Sequence, residues 1–247
     1  MKAHAYGCFC TFIVLLVLIG SGSSQTTGES SPVNGVSANV FPVTALTRYE
    51  AKPGSKVRIE GISTRSDWQI ESTLISGFLE VGSNFPTTPG QSAKPGKVEA
   101  RAEAFVQIRS LKSIEKGGRP FSDEMDKIMY EKLHAQDDAR AKITYRLTEL
   151  VLSETPKNNN EPYVFDSKGE LVVAGVTNAI AMPVAILPSG GNKLKISGAI
   201  SVKMTDYKIQ PPALKLSFGP LKTGDEVKLV FEWIVAEKAG PAAGVAK

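Results

Sequence analysis

Apolar and polar side chains alternate with a period of two through most of the chain between residues 47 and 237. The longest alternating run, residues 97–108, places small or apolar side chains on one face: Val98, Ala100, Ala102, Ala104, Val106 and Ile108. Residues 142–150, 193–204 and 227–235 alternate in the same way. Because successive side chains of a strand point to opposite faces, the pattern predicts strands with one dry and one wet face.

Turn residues separate these runs. Gly190–Gly191 lies between two alternating runs, residues 174–178 separate two others, and Gly224–Asp225 is expected to precede the last strand. Glycine pairs of this kind are typical of tight hairpins. We therefore predict an all-β fold: an antiparallel barrel of about eight strands, closed or nearly closed.

One helix is predicted to interrupt the strands. Ser122 is a suitable N-cap, and acidic residues follow it at the positive end of the helix dipole. Apolar residues then recur at helical spacing, in the order Met125, Ile128, Met129 and Leu133. We expect this stripe to pack against the barrel.

The first residues resemble a secretory signal. Lys2 precedes an apolar run at residues 9–19, and small residues occupy positions 20–24. The apolar run is shorter than the roughly 20 residues that span a bilayer, although an uncleaved anchor is the alternative. We predict a signal peptide at 1–24, a flexible leader at 25–46, one domain at 47–237 and a disordered tail at 238–247.

The composition argues against catalysis and nucleic-acid binding. Net charge is +4, yet lysines and glutamates are interleaved and form no basic block. Both cysteines, Cys8 and Cys10, lie in the predicted signal, and only His134 of the two histidines lies beyond it. His134 with Asp137 and Asp138 could hold a hard cation, but a solvated acidic turn is the favoured interpretation. We predict no enzymatic activity, no cofactor, no metal site and no nucleic-acid partner.

The small-residue face at Ala100, Ala102 and Ala104 carries the most information about function. If it lines a closed barrel, three consecutive inward positions hold only a methyl group each, which leaves room for a ligand. In the alternative, bulky residues opposite fill the space; candidates for that role are Phe78, Phe218, Phe231 and Trp233.

Five segments, taken in order, resemble the YceI-like family. They are residues 57–68 with Ser-Thr ahead of Asp67-Trp68, residues 106–116 followed by 125–133, residues 143–148, residues 169–178, and residues 203–212 with 223–227. The chain also departs from the family, whose members often carry histidines where this chain has Arg65-Ser66 and residues 138–141. Any role of those histidines is absent here.

The resemblance implies an elongated, lipocalin-like barrel that is exported to the periplasm or beyond. It also implies binding of a polyisoprenoid or another long amphiphile inside the barrel. Fold analogy alone does not fix the ligand. Trp68 follows Asp67 at a strand start, so it is expected to close one end.

We predict a carrier that is periplasmic or secreted, with no integral span after processing. The predicted ligand-binding residues are Trp68, Phe78, Ala100, Ala102, Ala104, Val106, Ile108, Tyr145, Leu147, Ile196, Ile200, Val202, Phe218, Phe231 and Trp233. The alternative is a structural or protein-interaction module with a filled barrel and no ligand. The sequence leaves the ligand and the oligomeric state open, with a homodimer as one alternative.

Overall fold

The computed structural model of the protein describes residues 46–216 and 219–238. The predicted signal peptide, nearly all of the predicted leader and tail, and Phe218 lie outside these residues. The strands are β1 Thr47–Ala51, β2 Lys56–Ser63, β3 Trp68–Ser72, β4 Ser76–Val81, β5 Gly96–Lys97, β6 Ala100–Gln107, β7 Lys112–Ile114, β8 Lys142–Glu154, β9 Tyr163–Val173, β10 Val176–Ser189, β11 Lys193–Lys203, β12 Ala213–Leu216 and β13 Gly219–Glu237. The helix α1 spans Asp123–Lys132, and two 3-10 helices span Ile108–Ser110 (η1) and Met204–Tyr207 (η2).

Eight of the strands form a closed antiparallel ring. The order is β1-β4-β6-β8-β9-β10-β11-β13, and β13 pairs again with β1. Tyr49 pairs with Glu237 at this closure. The predicted antiparallel barrel of about eight strands is thereby confirmed.

A second branch leaves the ring at β13. The C-terminal part of β13 pairs with β1, whereas its earlier part pairs with β2, which continues through β3 to β7. Among the described residues, β7 has no further partner except an isolated bridge between Ile114 and Pro120. Strands β7 and β8 do not pair with each other, and the segment that carries α1 connects them. We call this end of the barrel, marked by the β2–β3 turn and α1, the mouth.

Large side chains fill the opposite end. Phe165 is fully buried and stacks on Phe85 with ring centroids 5.5 Å apart. Tyr49, Leu194 and Val235 are also fully buried or nearly so. Because protein interiors are packed as densely as organic crystals, this aromatic and aliphatic layer closes the barrel opposite the mouth.

Polar contacts fasten α1 to β7. Asp126 is buried; its carboxylate accepts the Ser113 N–H at 2.7 Å and pairs with Lys112 Nζ at 3.0 Å. The hydrogen bond from Lys112 to Asp126 raises the pKa of Lys112. Tyr130 donates its hydroxyl to the Leu111 carbonyl at 2.9 Å. Since a buried carboxylate needs its partners, these contacts hold the helix in one place.

Ser122 caps α1 as expected, with its hydroxyl accepting from the Met125 N–H at 3.4 Å. Three details of the strand prediction are wrong. The separator predicted at residues 174–178 is shorter, because residues 176–178 already belong to β10. Residues 97–108 do not form one strand, because pairing is interrupted between β5 and β6 and Ile108 begins η1. Gly224–Asp225 does not precede the last strand; it lies inside β13, where the register with β2 shifts between Thr223 and Val227.

The β9–β10 hairpin turns on Ala174 and Gly175, both with positive φ (49° and 81°). Alanine disfavours this left-handed region because its Cβ crowds the following carbonyl, whereas Asn-Gly is the preferred pair for such a turn. We expect Ala174→Asn to stabilise the protein by about 0.5–1 kcal/mol. Thermal unfolding measures the effect, with Ala179→Asn on the exposed face of β10 as the control. An unchanged or lowered midpoint for Ala174→Asn would contradict the expectation.

Candidate functional site

The barrel encloses an inner cavity of about 140 Å³. Side chains from eight strands line it, including the small wall of Ala102 and Ala104 on β6 and the rings of Tyr145, Phe231 and Trp233. Among the described lining residues none is acidic or basic. The Ser167 hydroxyl already donates to the Met182 carbonyl at 2.8 Å. Such a surface suits an uncharged, apolar group.

A larger cavity of about 950 Å³ opens at the mouth. The apolar stripe of α1 forms one wall, with Met125, Ile128, Met129 and Leu133 all lining this cavity. The stripe was predicted to pack against the barrel, and in the structure it lies over the open end of the barrel. Polar side chains gather at the outer edge of the same cavity, among them Arg65, Asp67, Glu115, Lys116 and Lys132.

The two cavities adjoin. Ile143, Leu171 and Leu229 line both of them, so the inner cavity lies directly behind the mouth cavity. The lining changes from charged side chains of both signs at the edge of the mouth to uncharged, mainly apolar side chains in the interior. The polarity of an amphiphilic molecule changes along its length in the same way.

The η2 segment supplies another wall of the mouth cavity. Asp225 accepts the Thr205 N–H at 2.9 Å and the Thr205 hydroxyl at 2.6 Å, which ties η2 to β13. The hydrogen bonds from Thr205 lower the pKa of Asp225. Met204 and Tyr207 of η2 then face the cavity, and burial raises the pKa of the Tyr207 hydroxyl. The Gly224–Asp225 pair thus positions a cavity wall.

Aromatic rings that line the cavities lie over glycines of neighbouring strands. A Cβ on Gly198 would come within 2.9 Å of Phe231 Cζ, and one on Gly169 within 2.6 Å of Tyr145 Cζ. The Trp68 ring covers Gly61 in the same way, while its indole N–H donates to the Ile62 carbonyl at 3.2 Å. Glycine permits this close approach because it has no side chain, so each of these three glycines leaves room for the ring that lies over it.

Burial also raises the pKa of the Tyr145 hydroxyl. The Tyr145 ring therefore stays neutral over the physiological range, since an ordinary tyrosine already titrates near 10. Neither it nor Trp233 introduces charge into the inner cavity.

Eleven of the predicted site residues line a cavity. Those in the inner cavity are Ala102, Ala104, Val106, Tyr145, Leu147, Ile196, Ile200, Phe231 and Trp233. Trp68 and Val202 line the mouth cavity. Their contact with a ligand remains a prediction.

Three predicted residues lie elsewhere. The inward orientation predicted for Phe78 is wrong: its ring packs under the Arg48 guanidinium, 4.0 Å from the ring centroid, while the neighbouring Leu79 faces the inner cavity. Ala100 packs against the core without lining either cavity. Ile108 is buried at the start of η1, where the chain leaves the strand, and it too lines neither cavity.

Other lining residues were missed by the sequence argument. Met182, Val184 and Ile186 alternate along β10 and all face the inner cavity. Their period-two spacing in the sequence could have predicted that they share the inward face of one strand. The part of α1 in the mouth cavity had no such signal, because an amphipathic stripe does not reveal which surface it covers.

Fold and cavity together define this molecule as a lipocalin-like antiparallel barrel with an apolar interior. The YceI-like domain model matches residues 63–234, and the chain belongs to the YceI-like family. No curated protein matches the chain in sequence.

A solved structure shares this fold, and two others are similar to a lower degree. A polyisoprenoid binding domain from Saccharophagus degradans, described as implicated in plant cell wall breakdown, has 12% identity and a TM-score of 0.53, covering 78% of this chain and 99% of that one. BcnA of Burkholderia cenocepacia has 16% identity and a TM-score of 0.49, covering 73% of this chain and 95% of that one. The YceI protein of Campylobacter jejuni has 14% identity and a TM-score of 0.44, covering 69% and 85%. At these identities the likeness concerns the fold alone.

Within the described ranges, no helix has the length and apolar character needed to cross a membrane. In that same part of the chain, no three His, Cys, Asp or Glu side chains are grouped as metal ligands would be.

Proposed function

We propose that this protein is an exported carrier that holds a long apolar or amphiphilic molecule of polyisoprenoid or lipid type inside its barrel. The observation that carries the proposal is a pair of adjoining cavities, one of about 950 Å³ at the mouth and one of about 140 Å³ inside the barrel, which share Ile143, Leu171 and Leu229 as lining residues. The mouth cavity by itself has the size of a ligand pocket. Binding of a polyisoprenoid by the Saccharophagus degradans domain is consistent with this reading.

The direction of binding follows from the lining. Each buried CH₂ contributes about 0.8 kcal/mol, so the apolar end of the ligand gains most by occupying the inner cavity. A polar end would lose its hydration there, because the lining offers it no charged partner. It is better placed at the mouth beside Arg65, Lys116 and Lys132.

The same lining supports binding rather than catalysis. General acid–base or nucleophilic chemistry needs a titratable group near the reacting atom, and the phenol of Tyr145 is the one that lines the described inner cavity. Burial raises its pKa, so at neutral pH it is a protonated phenol that is too weak an acid to donate a proton readily and is not available as a base. The open interior also favours a carrier over the alternative of a filled, ligand-free module.

Export is part of the proposal. Residues 1–24 would be removed as a signal peptide, leaving residues 25–46 as a leader ahead of the 47–237 domain and 238–247 as a tail. Both cysteines precede residue 25, so the exported chain would carry no thiol into an oxidising compartment.

Native mass spectrometry of the purified protein, followed by organic extraction, tests the proposal. We expect a stoichiometric long-chain molecule to co-purify, or a polyisoprenoid alcohol to bind when added. A clean unliganded mass, with no binding of added polyisoprenoids or fatty amides, would refute the carrier function.

A further inference from the structure

Two large, strongly exposed apolar side chains stand at the edge of the mouth. Phe121, in the β7–α1 loop, is 61% exposed and lines the mouth cavity from its outer side. Ile62, near the end of β2, is 62% exposed and lies beside Gly224 of β13. Strand β3 with Trp68 lies between β2 and β7 in the sheet, so both side chains belong to one side of the opening.

Basic side chains share this edge. They are Arg65 in the β2–β3 turn, Lys116 and Arg119 in the β7–α1 loop, and Lys222 of β13. Backbone and side-chain hydrogen bonds between Thr64 and Lys222 place that part of β13 beside the turn.

The acidic groups in the same turn and loop are fewer. Asp67 lies 4.0 Å from Lys116 Nζ, and Glu115 lies 2.8 Å from Arg119. Asp123 and Glu124 follow at the start of α1, where Glu124 pairs with Lys127 at 3.3 Å, and Asp225 of β13 accepts hydrogen bonds from Thr205. Of the charged side chains that line the mouth cavity, three are basic (Arg65, Lys116 and Lys132) and two are acidic (Asp67 and Glu115), so the edge of the opening keeps a small excess of positive charge.

We propose that this edge, the mouth rim of Ile62, Phe121, Arg65, Lys116, Arg119 and Lys222, docks on a lipid bilayer that contains anionic lipids. Exposed apolar side chains gain free energy by entering the boundary between headgroups and acyl chains, and basic side chains are attracted to anionic headgroups. Isolated surface apolar residues are ordinary, but here they flank the opening of an apolar cavity.

Docking at the mouth rim would join the cavity directly to the bilayer. A long apolar cargo then moves between the two without crossing water, where its transfer is costly. This part of the inference rests on the proposed carrier function; the docking itself rests on the exposed side chains and the charge of the rim.

Flotation of the purified protein with vesicles tests the docking. We expect association with phosphatidylcholine vesicles that contain phosphatidylglycerol, weaker association with phosphatidylcholine alone, and weakening by added salt. Ile62→Ser and Phe121→Ser should each lower the partition coefficient about tenfold, because each removes an inserted apolar side chain.

Leu74→Ser is the matched control. Leu74 is 63% exposed, as Ile62 and Phe121 are, but it lies in the β3–β4 connection, beyond the end of β3 that is opposite Trp68. Its substitution should leave the partition coefficient within about twofold, since the side chain does not reach the bilayer. Equal losses for Leu74→Ser and Ile62→Ser, or no vesicle association by the unaltered protein, would overturn the proposal.

A second measurement separates this proposal from the carrier function. A fluorescent long-chain probe is added to the protein from ethanol, without vesicles. Ile62 lines neither cavity, so Ile62→Ser should bind the probe as the unaltered protein does. Probe binding without vesicle association refutes docking alone, whereas vesicle association without probe binding refutes the carrier function and leaves docking supported.

Discussion

Ala102→Phe is expected to weaken the binding of a long-chain probe about 100-fold while the barrel remains folded. Ala102 lies on β6 and lines the inner cavity of about 140 Å³, most of which a phenyl ring would occupy. About four CH₂ groups of the ligand would then be excluded, at about 0.8 kcal/mol each. A loss of roughly 3 kcal/mol corresponds to a factor of about 100 in affinity. Fluorescence titration with the probe measures the change.

Arg101→Phe is the control for this substitution. Arg101 precedes Ala102 on the same strand and its side chain is 73% exposed on the outer face, so its replacement should leave the affinity unchanged. Overpacking of a core costs about 1–3 kcal/mol, which thermal unfolding of both variants would reveal. Full affinity in a folded Ala102→Phe variant would mean that the ligand does not reach the inner cavity.

Phe165→Ala is expected to lower the free energy of unfolding by about 3–5 kcal/mol, the cost of truncating a buried aromatic side chain. Phe165 is fully buried and stacks on Phe85, so its removal leaves a cavity in the closed end of the barrel. At about 2–4 °C per kcal/mol for a domain of this size, the thermal midpoint should fall by roughly 10 °C.

Phe121→Ala serves as the comparison for Phe165→Ala. It removes the same atoms from a side chain that is 61% exposed, so the midpoint should change by no more than about 1–2 °C. Chemical denaturation gives the two free energies directly. Similar destabilisation by both substitutions would show that burial in the closed end is not what makes Phe165 important.

The alternation of side chains predicted the strands well because each strand has one buried face. In β11, Leu194, Ile196 and Ile200 face inward as their spacing predicts. The small wall at Ala102 and Ala104 also predicted open space correctly, since both side chains border the inner cavity. These inferences need only the period of a strand and the size of a side chain.

At Phe78, the size of the side chain predicted the wrong face of the strand. Its size suggested an inward position, but its orientation depends on the register of β4, which turns it outward between Arg48 and Arg101. A ring on the outer face can be stabilised by guanidinium groups, so bulk alone does not predict burial.

The mouth was the least predictable part of the site. Its shape depends on β13 having two partners on one side, β1 and β2, and this arrangement involves contacts between distant parts of the chain. The sequence indicated an amphipathic α1 but not the unpaired interval between β7 and β8 that the helix spans.

The pairing of β1 with β13 also constrains the order in which the molecule folds. The ring closes only when Tyr49 meets Glu237, near opposite ends of the described chain. Contacts between residues so far apart in sequence form slowly, because the loop that they close loses much conformational entropy. Hairpins such as β9–β10 are therefore expected to form early, whereas a ring lacking β13 leaves β1 and β11 with unpaired edges. We expect a nascent or truncated chain without β13 to be prone to aggregation, and the last strand to complete folding in one cooperative step.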